Sequence, residues 1–213
     1  MWVVSTETVK EEKEVTMTKK DKNFNMIIVG VGGQGLITML QVIAQTAMDK
    51  GHEVRTSELH GLSQRGGSVS VHIRFGTQVY SPIIPKGEAN LVIALETQEV
   101  LNAIPFSSKK TAFLVNKYES PTLGKSVSAV YVKNALSKVT KKSFSLNVKE
   151  LTEKELGTSV ISGTFLLGYA AAKNLISLTE NDIKEGIKKV VKEKYWDINE
   201  KAIDFATHYA QRK

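Results

Sequence analysis

Residues 30–35, Gly-Val-Gly-Gly-Gln-Gly, follow the apolar run Met26-Ile27-Ile28-Val29 and precede an apolar stretch that begins at Leu36. Gly30, Gly32 and Gly35 satisfy G-x-G-x-x-G in the strand–turn–helix setting that gives the spacing its meaning. In that setting Gly30 permits the tight turn and Gly32 the close approach of a ligand or a second backbone, while Gly33 and Gln34 complete the turn. Gly35 is expected to let the helix pack on its strand. Free N–H groups at the helix N-terminus, backed by the helix dipole, suit an anion such as a phosphate. Turns of this kind also occur where no nucleotide is held, so a purely structural turn stands beside the binding one.

A second loop, Ser63-Gln64-Arg65-Gly66-Gly67, is crowded with hydrogen-bonding groups. Its paired glycines allow positive φ and expose backbone N–H groups. The Arg65 guanidinium beside them can engage a carboxylate or phosphate bidentately. Further on, the apolar run Leu91-Val92-Ile93-Ala94-Leu95 ends in Glu96. In open α/β sheets ligands bind just beyond the carboxyl ends of the strands, which is where Glu96 would stand.

Other chemistries fit the sequence poorly. The chain has no cysteine, hence no disulfide, no thiol nucleophile, no thiolate for zinc and no four-cysteine iron–sulfur site. His52, His60, His72 and His208 are too far apart in sequence for a helical metal pair, and Leu62-Ser63-Gln64 lacks the frame of a nucleophile elbow. No residue is assigned a nucleophilic or proton-transfer role, and no metal ligand is assigned. A nicotinamide site would need an acid ending the second strand, about 20 residues past the turn. Glu53 comes at roughly the right distance but at the start of that strand, and Glu58 sits at its end but a little far along the sequence. Carboxylate-adenylating enzymes share the doubled glycine but rely on a downstream cysteine.

These groups need a framework. Apolar strands alternate with helices from Asn25 onward, which predicts an α/β fold: a Rossmann-like, open, mainly parallel sheet with helices on both faces. Strands are expected at Met26–Val29, Glu53–Ser57, Leu91–Leu95 and Thr111–Val115, with further ones near Val127–Val132 and Phe144–Val148. Helices are expected from Leu36 to Lys50, capped by Gly51, and from Ser162 to Lys173, an apolar, small-residue segment read as core. Thr179-Glu180-Asn181-Asp182 resembles a capping box, and a last helix carries Ile198, Ala202, Phe205 and Tyr209. Between the second and third parallel strands, Val69, Val71, Ile73 and Phe75 alternate with Ser70, His72 and Arg74. Gly76-Thr77 then suggests a turn, with Val79–Ile84 returning as the second arm of an inserted β-hairpin. His72 is expected to face solvent or a partner.

Residues 1–23 are polar and charged, and read as a disordered or weakly helical extension to a single domain over 24–213. No apolar run approaches the roughly 18 residues of a membrane span, and no signal-peptide h-region is present. A cytoplasmic location with no membrane partner is expected. The formal net charge is +7, but the lysine clusters are scattered and arginine is scarce. That describes a solvated surface rather than a nucleic-acid stripe.

Residues 30–35, Ser63-Gln64-Arg65-Gly66-Gly67-Ser68-Val69 and Ala89-Asn90-Leu91-Val92-Ile93-Ala94-Leu95-Glu96 occur in this order in a known family. From about Met26 to its C-terminus the chain resembles the gamma subunits and gamma domains of the 2-oxoacid:ferredoxin oxidoreductases. Within them it is most similar to the indolepyruvate branch. The resemblance implies a subunit of an enzyme that decarboxylates aryl pyruvates oxidatively to aryl-acetyl coenzyme A, with electrons passing to ferredoxin. It implies a large alpha subunit carrying thiamine diphosphate, magnesium and 4Fe–4S clusters, with no cofactor held by this chain alone. Gly30, Gly32, Gly33, Gln34 and Gly35 would form a nucleotide-type turn. Ser63, Gln64, Arg65, Gly66 and Gly67 would face the partner's active site, with Arg65 meeting an anionic group and Glu96 close by. Pyruvate, 2-oxoglutarate or branched-chain members are alternatives within the family, and a stand-alone nucleotide-binding module is the alternative outside it.

Overall fold

The computed structural model describes residues 23–61, 66–120 and 127–212. All of the expected N-terminal extension but Asn23, and the Ser63-Gln64-Arg65 part of the second loop, lie outside them. Strands β1 (Phe24–Val31), β2 (Glu53–His60), β3 (Ser68–Gly76), β4 (Leu91–Ala94), β5 (Ala112–Asn116) and β6 (Ser143–Leu146) form a six-stranded sheet in the order β2-β3-β1-β4-β5-β6. The pairs β1–β4, β4–β5 and β5–β6 are parallel, whereas β3 runs antiparallel to both β1 and β2.

Met26, Ile27, Ile28 and Val29 are all fully buried. A strand covered on both faces reads as a continuous apolar run rather than an alternating one. Met26 and Ile28 join a core with α1 (Leu36–Asp49), α5 (Ser162–Ala172), α6 (Glu180–Val190) and α7 (Trp196–Gln211). Ile27 and Val29 join a second core with α2 (Val100–Ala103) and α3 (Ala129–Val139). Helix α5 is core, as its small residues suggest. A Cβ at Gly168 would stand 3.0 Å from the Ile203 Cα of α7, so glycine there sets the helix spacing. The capping box forms: Thr179 Oγ1 accepts from Asp182 N at 3.2 Å and Asp182 Oδ2 from Thr179 N at 3.0 Å.

Three expectations need correction. Residues 79–84 are not a strand; β3 pairs instead with β2 and β1, so the inserted antiparallel arm is β2–β3. Pro82 interrupts the N–H donors a ladder requires. Side chains of β3 take up the segment's backbone groups: Arg74 Nη1 donates to Ser81 O at 2.9 Å and Ile83 O at 3.3 Å, and His72 Nδ1 accepts from Ile84 N at 3.2 Å. His72 is consequently fully buried, edge-on to Phe106, rather than facing solvent. Finally, Val127–Val132 does not form a strand. Its β-branched composition is overridden by the Ser128 cap, whose Oγ accepts from Tyr131 N, and by Val132 and Leu136 burying one helical face. A further helix, α4 (Val148–Leu156), was not anticipated at all; it buries Val148 and Thr152, four residues apart, and ends on Gly157 at φ 72°.

Candidate functional site

The glycine turn leaves the carboxyl end of β1 and is held from two sides. On one side it meets the second loop: Gly32 N donates to Gly67 O at 2.9 Å, and Gly66 N donates to Gly32 O at 3.4 Å. The close backbone approach expected at Gly32 is thus met by this loop. On the other side the Gln34 side chain folds back, its Oε1 accepting from Val31 N at 2.9 Å and its Nε2 donating to Glu96 Oε1 at 2.5 Å.

The glycines divide the work differently from the sequence expectation. A Cβ on Gly30 would lie 2.8 Å from Gln34 Oε1 and 3.1 Å from Leu95 Cβ, so Gly30 is the position of close packing. Gly35, the residue before α1, has open space around it but takes φ 80°, the left-handed region that glycine enters without penalty. Its task is conformational.

Glu96 follows the carboxyl end of β4 and is fully buried. Besides Gln34, it accepts from Ser120 N at 3.2 Å through Oε2 and from the Ser120 hydroxyl through Oε1. Both carboxylate oxygens are engaged. The acid ties the glycine turn to the segment after β5, which Asn116 also secures by donating to Leu95 O and accepting from Val148 N.

Three residues beyond Glu96, at the start of α2, Glu99 is 8% exposed. Its Oε2 accepts from Ser68 Oγ at 2.5 Å and from Asn102 Nδ2 at 2.8 Å. Burial pushes the Glu99 carboxyl above its ordinary range; the Ser68 and Asn102 bonds oppose the rise and the nearby Glu96 adds to it. Sequence reasoning missed this residue. Its spacing from Glu96, at the carboxyl end of a buried strand, is the signal that marks it.

A cleft of about 890 Å³ opens over these groups. The glycine turn, Gly66 and Glu99 line it together with Tyr118, Ser120, Lys149, Ser159 and Ser162. Lys149 sits 4.6 Å from the centre of the Tyr118 ring and is the one cationic side chain lining the cleft among the described residues. A site of this size and mixed polarity suits a small organic ligand. Among the described residues there is no cluster of acids and histidines able to hold a metal ion. The nicotinamide pattern also fails structurally. Strand β3 stands between β1 and β2, moving any β2 acid one strand spacing, about 4.8 Å, further from the turn. Glu53 is at the far end of β2, accepting from Val79 N.

Comparison with known proteins agrees with this architecture. The chain is 37% identical over 197 residues to the indolepyruvate oxidoreductase subunit IorB of Archaeoglobus fulgidus, covering 87% of this chain and 94% of that protein. The subunit of the same name from Thermococcus kodakarensis is 31% identical over 197 residues, covering 89% and 97%. Among solved structures, the gamma subunit of a keto/oxoacid ferredoxin oxidoreductase from Geobacter sulfurreducens shares the fold, with a TM-score of 0.66 at 16% identity over 89% of this chain and 99% of that one. Residues 25–209 match the model of the pyruvate ferredoxin/flavodoxin oxidoreductase family, and the chain belongs to that family.

Proposed function

We propose that this chain is the cluster-free subunit of an indolepyruvate-type 2-oxoacid:ferredoxin oxidoreductase. The complex would oxidatively decarboxylate aryl pyruvates to aryl-acetyl coenzyme A and deliver the electrons to ferredoxin. The observation that carries this reading is near-full-length identity of 37% to an indolepyruvate oxidoreductase subunit in a chain whose two glycine motifs meet at one cleft. With no cysteine in the sequence, 4Fe–4S clusters belong to a partner. Thiamine diphosphate and its magnesium are likewise assigned to the large alpha subunit.

The role proposed for this chain is to pack on that subunit, complete its active-site region and handle coenzyme A. Gly30, Gly32, Gly33, Gln34 and Gly35 shape the turn at the α1 N-terminus, where orphan N–H groups favour an anion. Gly66 and Gly67 brace it; by the family resemblance, Ser63, Gln64 and Arg65 are assigned to the partner's active site, with Arg65 for an anionic group. Glu96 supports the turn through Gln34. No helix among the described residues is long and apolar enough to cross a membrane.

The test is anaerobic affinity purification of the tagged chain from its native host, with iron, sulfide and thiamine analysis of what co-elutes. A large partner bearing all three is the expected result, together with coenzyme A-dependent ferredoxin reduction by indolepyruvate. In that complex Arg65→Ala should leave assembly intact and lower coenzyme A-dependent turnover. A single colourless chain would overturn the reading in favour of a stand-alone nucleotide-binding module. A complex that instead prefers pyruvate, 2-oxoglutarate or a branched-chain 2-oxoacid would move the substrate within the family.

A further inference from the structure

Two buried carboxyls stand beside the glycine turn, and their hydrogen bonding separates them. Both oxygens of Glu96 are engaged, by Gln34 Nε2, Ser120 N and the Ser120 hydroxyl. Both bonds to Glu99 fall on Oε2, leaving Oε1 without a partner among the described residues although the residue is 8% exposed and lines the cleft. The residue is buried, yet Oε1 is not among the buried unpartnered atoms of the described residues, so this acceptor stays accessible to a donor in the cleft. The bonds from Ser68 and Asn102 also fix which oxygen is free. Any proton the carboxyl takes up goes to Oε1, because Oε2 already accepts two.

We propose that Glu99 is a ligand-contacting residue of the cleft, its Oε1 accepting a hydrogen bond from an amide N–H or hydroxyl of the bound molecule. The ligand class is therefore a molecule with such a donor on one part and an anionic group on another. The anionic part is met by Lys149, which lines the same cleft, or at the turn by the α1 N-terminus. This rests on reading the cleft as a coenzyme A-handling site and deepens it, because the pantetheine arm carries amide and hydroxyl donors while the phosphates carry the charge. Among the groups around Glu99, Ser68 and Asn102 are neutral donors and Glu96 is the charged neighbour, while Lys149 lines the same cleft.

The experiment uses the anaerobically purified complex containing this chain, wild type and Glu99→Gln, titrated calorimetrically with coenzyme A, with pantetheine and with inorganic pyrophosphate. Glutamine can keep its carbonyl oxygen toward Ser68 and Asn102 and so turns an N–H₂ toward the cleft, setting donor against donor. Pantetheine binding should weaken roughly tenfold, the usual scale for one bond to a charged group. Pyrophosphate, which has no amide or hydroxyl arm, should bind both complexes within twofold. Wild-type affinity for pantetheine should also fall as the pH is lowered and Oε1 takes a proton, while the E99Q profile stays flat. Three results would overturn the assignment: unchanged pantetheine binding by E99Q, wild-type binding of coenzyme A but not of pantetheine, or failure of E99Q to assemble. A wild-type complex that turns over with coenzyme A while neither coenzyme A nor pantetheine protects the cleft from hydrogen exchange would instead overturn the reading of the cleft.

Discussion

Glu96 and Glu99 are three residues apart, both buried, yet they are built for different tasks. Glu96 accepts hydrogen bonds on both oxygens from the glycine turn and from the segment after β5, so it works as a strut between two loops. Glu99 is bonded through Oε2 only and lines the cleft. The difference teaches that burial alone does not identify a functional carboxyl. A saturated acid fixes the backbone around it, whereas a half-saturated one, with burial raising its proton affinity, has capacity left for a ligand.

The contrast can be broken by substitution. Glu96→Ala would strand Gln34 Nε2 and the Ser120 donors in a buried setting. It should cost the largest amount, about 3 kcal/mol, read from the denaturant midpoint; a loss under about 1 kcal/mol would show that Glu96 is no strut. Gly35→Ala forces a side chain into φ 80° with no steric clash. Its destabilisation, about 1–2 kcal/mol, isolates the conformational role of that glycine from packing. Ser68→Ala should cost about 1 kcal/mol and push the Glu99 carboxyl further up, because the Ser68 bond holds it down. The pH at which pantetheine binding fades should move upward with it, and an unmoved profile would detach Glu99 from that binding.

The smallest effect concerns pH. Burial lowers the His72 pKa below 6.5, so the folded chain binds fewer protons there than the unfolded one. Stability is therefore lost as pH falls through 6.5 toward the lower folded value. Glu99 acts in the opposite sense, its raised pKa favouring the folded state as acidity rises. Comparing His72→Asn, whose Oδ1 can still accept from Ile84 N, with wild type separates them. The wild-type melting midpoint should drop more between about pH 7 and about pH 5 than that of the variant. Parallel curves would show that His72 binds protons equally in the folded and unfolded chain, contradicting the lowered pKa.

Sequence alone revealed the parts whose causes are local. The β1–turn–α1 unit, the buried β4 followed by Glu96, the Thr179 capping box and the small-residue helix α5 all follow from short patterns. Residues 79–84 misled because the side chains that occupy their backbone, His72 and Arg74, lie on a strand whose neighbours are not evident from spacing. Helix α3 hid behind β-branched residues, since only tertiary packing shows that Val130 and Tyr131 are exposed while Val132 and Leu136 are buried. The site was half legible for the same reason. Gln34 and Glu96 stood out individually, but their bond did not, and Glu99 acquires meaning only when Ser68, 31 residues away in sequence, is placed against it.

The account rests on the cleft between the glycine turn and Glu99 being where this chain meets its ligand. Hydrogen exchange on the assembled, anaerobic complex with and without saturating coenzyme A tests that most directly. Slower exchange concentrated in residues 32–38 and 66–68 is the result the account predicts. Unchanged exchange there, with protection elsewhere on the chain, would contradict it.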